Sequence, residues 1–121
     1  MEESLKQKFL PDEYIFRQGD KGTDAYLLLD GRIAVEVDGK KIAEISEMEI
    51  FGEMSLILSK PRSASIKVMK PSIVLPISPS VLEELLEKSP PFISALVREL
   101  SHRLAVCDSE IHKLRKIKDL S

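Results

Sequence analysis

Glu53 and Arg62 stand nine positions apart in the run FGEMSLILSKPRSAS, residues 51–65, with small or hydroxyl residues beside each. Gly52 follows a β-rich stretch and residues 54–58 suit a helix, so Gly52 falls where a strand turns into a short helix. Glycine there lets the backbone approach a ligand closely. The first N–H groups of a helix lack internal partners and lie at the positive end of its dipole, which makes an anion the expected guest. Arg62 adds a full charge in a planar fork that can give two parallel hydrogen bonds to a phosphate. Pro61 stiffens its approach, and Ser63 and Ala64 are small enough to bring their own N–H groups to the same anion. Glu53, when ionised, is an acceptor only and suits a neighbouring hydroxyl. Taken singly, a Glu and an Arg at this spacing are surface charges that contribute little. Together, these groups would bind a phosphate and a sugar hydroxyl.

The ordered strings Phe-Gly-Glu-Met-Ser and Pro-Arg-Ser-Ala-Ser, with the gap between them, resemble the phosphate-binding cassette of the cyclic-nucleotide-binding domain family. That family includes bacterial catabolite activator proteins, protein kinase A regulatory subunits and cyclic-nucleotide-gated channels. Upstream, IFRQGD at 15–20 and AYLLLDG at 25–31 look like the family's first strands, with its turn glycines at Gly19 and Gly31, and the likeness covers most of residues 9–120. The resemblance implies that Glu53 accepts from the ribose 2′-hydroxyl and that Arg62 partners the cyclic phosphate. It makes Ser63 and Ala64 donors of backbone N–H groups, with a hydroxyl contact from Ser63, and puts Ser55 at the small position of the short helix. Gly52, Glu53, Met54, Ser55, Arg62, Ser63 and Ala64 thus form the implied ligand set. Val35, Ile42 and Phe51 are the implied lining of base and ribose. Apolar strand residues at period two point inward with or without a ligand, so ordinary core is the alternative for these three. The family often has glycine where this chain has Met48, which puts the shape of the turn before Ile50 in question.

The elements that must position these groups follow from patterning. A short polar helix is expected over residues 2–8, and strands over 13–17, 24–30, 32–38, 40–45 and 63–77, punctuated by Gly19, Gly22, Gly31, Asp38-Gly39 and Pro71. Asp38-Gly39 is the clearest hairpin turn. Ile33, Val35 and Val37 give one strand an inward face, with Arg32, Glu36 and Asp38 in water. The expected class is mainly β with flanking helices: a double-stranded β-helix, or jelly-roll-like barrel, over about 9–77, with helices at about 79–88 and 91–118. Ser78-Pro79 and Ser89-Pro90 each place a capping hydroxyl before a proline. In the first helix Val81, Leu82, Leu85 and Leu86 form an apolar stripe. In the second, Ile93, Val97, Leu100, Leu104, Cys107, Ile111 and Leu114 step by 4, 3, 4, 3, 4 and 3, a heptad seam. Its distal half calls for a second copy of the chain or the ligand mouth; a helix packed wholly on its own barrel is the alternative.

A chain of 121 residues reads as a single domain, with 43% hydrophobic and 31% charged residues. Cys107, the one cysteine, forbids an intrachain disulfide, and there is neither a membrane-length apolar stretch nor a leader, so the cytoplasm is the expected location. A net charge of −2 argues against general nucleic-acid binding. The basic run at 112–118 suits the last turns of a helix. His102, Cys107 and His112 are five residues apart each and do not share a helix face, so no metal or haem is expected. Cys107 reads as a packing residue. No nucleophile-base pair, Walker-type loop or metal-ligand spacing occurs, and Glu53 lacks the metal or second acid that hydrolysis of a cyclic phosphate would require, so no enzyme and no cofactor are expected. The functional expectation is a sensor that binds cAMP, or less favourably cGMP, and converts binding into repositioning of its C-terminal helix. The alternative is a dimerising structural or interaction module of the same fold with an empty or different pocket.

Overall fold

The computed structural model describes residues 5–120, with side chains over 5–107. Contacts divide the chain into a strand-rich unit, Met1–Val81, and a helical unit, Leu82–Ser121.

The first unit holds β1 (Gln7–Phe9), β2 (Tyr14–Phe16), β3 (Ala25–Val37), β4 (Lys40–Ile45), β5 (Ile50–Phe51), α1 (Glu53–Leu58) and β6 (Ser65–Ile77). All pairings are antiparallel, in the order β1-β6-β3-β4, with β2 also on β6 and β5 also on β3. The class is mainly β, as expected, but the hydrogen-bonded path is open and does not close into a barrel among the described residues. Two strands of 13 residues, β3 and β6, carry the unit. Leu28, Ile33, Phe51, Ile66, Val68 and Val74 form its buried core, with Phe9, Ile15, Phe16, Tyr26, Val35 and Ile45 packed against it.

Three local expectations are corrected. Gln7 and Lys8, the end of the polar helix expected over 2–8, instead belong with Phe9 to a strand paired to Val74, Ile73 and Ser72. A helix of one or two turns is marginal in water, whereas the free edge of β6 offers ready-made partners and Phe9 gains burial. Gly31 does not break the strand: β3 runs through it at φ +117, and the register against β6 shifts on either side. Glu36 is half-buried rather than in water, because its carboxylate accepts the Tyr14 hydroxyl at 2.8 Å. That bond is the main reason the Tyr14 phenol is held above its ordinary pKa.

The Asp38-Gly39 hairpin forms with both residues at positive φ, 53 and 80, as a type I′ turn requires. At the next turn, Met48 adopts φ +68, a left-handed conformation that favours glycine. Its N–H reaches the Leu28 carbonyl at 2.7 Å, and its side chain is exposed. A left-handed non-glycine residue costs roughly 1–2 kcal/mol, against about 0.5–1 kcal/mol of backbone entropy for glycine. Met48→Gly should therefore raise stability by about 0.5–1 kcal/mol; an unchanged or lower urea midpoint would show that the turn carries no such strain.

In the helices, Ser78 Oγ accepts the Val81 N–H at 3.2 Å, capping α2 (Pro79–Lys88) as expected. Ser89 instead donates its hydroxyl back to the Leu85 carbonyl at 2.7 Å, closing α2 rather than opening α3 (Pro91–Leu120). Residues 93, 97, 100, 104 and 107 of the heptad seam lie on α3, while Ile111 and Leu114 lie outside the residues whose side chains are described.

Candidate functional site

The strand-to-helix junction forms where expected. β5 ends at Phe51, Gly52 takes φ +76 as the residue before α1, and α1 lasts six residues. Ser59, at φ +54, ends the helix, and its N–H bonds to the Ser55 carbonyl at 3.1 Å. The buried Ser55 hydroxyl donates to the Lys60 carbonyl at 2.8 Å, tying the helix to the loop that carries Arg62. In this geometry the Ser55 hydroxyl proton serves the loop.

Arg62 is only 5% exposed. Its backbone is fixed by the 17–24 loop: its N–H donates to the Asp20 carbonyl at 2.8 Å, and its carbonyl accepts the Gly19 N–H at 2.7 Å. Its Nη1 donates to the carbonyls of Asp24 at 2.8 Å and Gly52 at 3.2 Å, and the guanidinium carbon lies 4.0 Å from the centroid of the Phe16 ring. Phe16, Tyr26 and Phe51 form an aromatic group beside it, with Tyr26 and Phe51 stacked at 5.3 Å. Burial pushes the Tyr26 phenol up, and the nearby Arg62 charge partly offsets that shift.

Among the described residues, no carboxylate forms an ion pair with Arg62. Buried charges are ordinarily paired, because desolvation costs several kcal/mol per ion. Neutral carbonyls and an aromatic face orient this guanidinium without neutralising it. An anionic guest would complete the site.

Arg62 lines a cavity of about 190 Å³ together with Gly52, Glu53, Met54, Ser55, Ser63, Ala64, Val35 and Phe51. The ligand set inferred from the sequence is thus gathered around one space, with one exception. Ile42 is 62% exposed and does not line this cavity. The cause is a bulge: Val35 pairs with Ala43 and Glu36 with Lys41, so Ile42 has no partner and the alternation of β4 is broken at that residue. Ile45, Ile50, Ile66 and Phe16 line the cavity in addition. Ile66 lies two residues beyond Ala64, a period-two signal present in the sequence, whereas Ile45 is out of phase with Ile42 because of the bulge. Phe16 reaches the site because β2 pairs with β6 at Phe16↔Ile66, which no local pattern announces.

Glu53 is exposed at the cavity wall, and the buried guanidinium stands at the same wall. A cation donor and a carboxylate acceptor on one small cavity suit a ligand that carries both an anionic group and a hydroxyl. Among the described residues there is no cluster of His, Cys, Asp or Glu able to hold a metal ion, and no helix long and apolar enough to cross a membrane.

The sequence profile described as Cyclic nucleotide-binding domain matches residues 6–89. A cGMP-dependent protein kinase of Eimeria tenella is 32% identical over 80 residues, which is 66% of this chain and 8% of the kinase. The chain therefore spans less than a tenth of that relative's length. In three dimensions the chain is similar to the EAL enzyme Bd1971 in a half-site-occupied form, at a TM-score of 0.81 and 28% identity over 85% of this chain and 96% of that one. The cAMP-bound form of the same enzyme aligns at a TM-score of 0.63 with 28% identity, over 93% of this chain and 32% of that one. Its cGMP-bound form aligns at 0.64 with 29% identity, over 82% and 28%. The cAMP-bound PfPKA-R (141–441) aligns at a TM-score of 0.63 with 26% identity, over 86% and 36%.

Proposed function

Since the chain belongs to the cyclic nucleotide-binding domain family, we propose that it is a non-catalytic sensor whose cavity takes a 3′,5′-cyclic nucleotide, cAMP ahead of cGMP. The observation that carries this reading is the buried Arg62 guanidinium, held by neutral carbonyls and the Phe16 ring and lining a cavity walled by Gly52, Glu53, Ser63 and Ala64. Arg62 binds the cyclic phosphate with its remaining N–H groups, Ser63 and Ala64 add backbone N–H groups, and Glu53 accepts from the ribose 2′-hydroxyl. A cavity of about 190 Å³ is smaller than the roughly 300–1,000 Å³ of sites that enclose drug-sized ligands, so it accommodates the sugar-phosphate and leaves the base near the mouth. Relatives bound to cAMP and to cGMP support either purine.

The output of the sensor is the position of α3, which binding shifts by the ligand's differential affinity for two helix positions, typically about 1–3 kcal/mol. A second copy of the chain is the partner proposed for the seam through Ile93, Val97, Leu100, Leu104 and Cys107.

Titration with cAMP, cGMP and a cyclic dinucleotide, read by calorimetry and by thermal melting, tests the proposal. A ligand at a hundred times its dissociation constant should add about 2.7 kcal/mol to stability. No heat and no melting shift with any of them would leave a structural module. Glu53→Gln should weaken binding of the ribonucleotide more than that of its 2′-deoxy analogue, and equal losses would remove the ribose role.

A further inference from the structure

Four of the five glycines take positive φ, namely Gly19, Gly31, Gly39 and Gly52. Gly22 does not, so its backbone conformation would admit any L residue. What it would not admit is the space a side chain takes. A Cβ built on Gly22 would lie 2.6 Å from Arg62 Nη2, 2.9 Å from Nε and 3.0 Å from Cζ, and these are its three nearest atoms. Two nitrogens that lie nearer than the carbon between them put that Cβ position beside the Nε–Nη2 edge of the guanidinium.

We infer that Gly22 is a positioning residue for Arg62: the side chain it lacks is the space in which the guanidinium lies. The inference rests on the reading of the cavity as a cyclic-phosphate site. The 17–24 loop cannot easily yield instead, because it is braced by Arg17 N–H to Asp20 Oδ2 at 2.9 Å, Asp20 N–H to the Arg17 carbonyl at 3.0 Å, and Arg62 N–H to the Asp20 carbonyl at 2.8 Å. The far end of the Arg62 side chain is the softer partner. A methyl at position 22 therefore displaces the guanidinium from the Asp24 and Gly52 carbonyls and from Phe16. With Nη1 engaged by those carbonyls, the N–H groups left for an anion are on Nη2 and Nε, the two atoms Gly22 lies against.

Gly22→Ala tests this with two readouts. In the free protein, the Nε–H resonance of Arg62, identified by its loss in Arg62→Ala, should move as the guanidinium leaves the Phe16 ring, while the far-ultraviolet circular dichroism stays that of wild type. In calorimetric titration with cAMP, Gly22→Ala should bind about tenfold or more weakly, as expected for losing a hydrogen bond to a charged group. The same substitution placed on Arg62→Ala should change the residual affinity no further, since the two act through one group. An unmoved Nε–H resonance, or an affinity loss of the same size in the Arg62→Ala background, overturns the inference. Wild-type protein that binds no cyclic nucleotide would sink the proposed function instead, and the Nε–H resonance would still decide whether Gly22 sets the place of Arg62.

Discussion

Arg62→Ala is expected to weaken cyclic-nucleotide binding by at least about thirtyfold while the sheet stays folded. Truncating one partner of a buried, hydrogen-bonded charge pair costs roughly 2–5 kcal/mol, and each 1.4 kcal/mol is about tenfold in affinity. The structure explains why the unliganded protein should suffer less. Deleting the side chain takes the Nη1 donor from the Asp24 and Gly52 carbonyls and empties the space beside Phe16, but it also removes a buried charge that has no carboxylate partner among the described residues. Those two changes oppose one another. Arg62→Lys should recover little, because a lysine keeps the charge without the planar fork that Phe16 and the two carbonyls hold. Calorimetry with cAMP checks this: an Arg62→Ala protein that bound as tightly as wild type would remove Arg62 from the phosphate site.

Gly31→Ala is expected to be the most destabilising single methyl in the sheet, at about 2–6 kcal/mol against a typical total of about 5–15 kcal/mol. Overpacking contributes about 1–3 kcal/mol of this, and a non-glycine residue in a sparsely populated backbone region about the same again. Gly31 has φ +117, and a Cβ there would lie 2.1 Å from Ser72 Oγ, 2.6 Å from Ser72 Cβ and 2.7 Å from Ser72 Cα. The last of these is backbone, so no rotamer change relieves it and the β3 and β6 strands must part. Ser72 is buried, and its hydroxyl accepts the Arg32 N–H at 3.3 Å and donates to the Lys70 carbonyl at 2.7 Å. Ser72→Ala in the same chain should therefore not rescue Gly31→Ala, since it removes one overlapping atom, leaves two, and breaks two hydrogen bonds. Urea denaturation reads the loss, and a drop of less than about 1 kcal/mol would mean that the strands separate there at little cost.

How much of the molecule was legible in its sequence differed from element to element. The strand-to-helix turn at Gly52, the Asp38-Gly39 hairpin and the Ser78 cap were readable because each depends on the backbone preferences of two or three adjacent residues. Gly31 is legible as special, but the sequence does not say whether the strand stops there or runs through. A glycine signals that something comes close or that φ is positive, and only the pairing with Ser72 shows that the strand continues through it. Ile42 was misplaced because strict alternation cannot foresee a bulge, which depends on which residues of β3 lie opposite.

For the site, nearly all the residues expected together do line one cavity, and they could be named in advance because the cassette is local in sequence and its ordered strings resemble those of the family. The sequence by itself thus determined the residue types that wall the cavity, the turns that present them and the mainly β class, because these follow from short-range sterics and hydrogen bonding. Only the tertiary structure decided that Arg62 is buried without a counter-charge among the described residues, that Phe16 and the Asp24 carbonyl hold its guanidinium, and that Gly22 leaves room for it. Those contacts join positions about forty residues apart through β-sheet register, and a backbone carbonyl or an absent side chain leaves no mark in a sequence until the chain around it is packed.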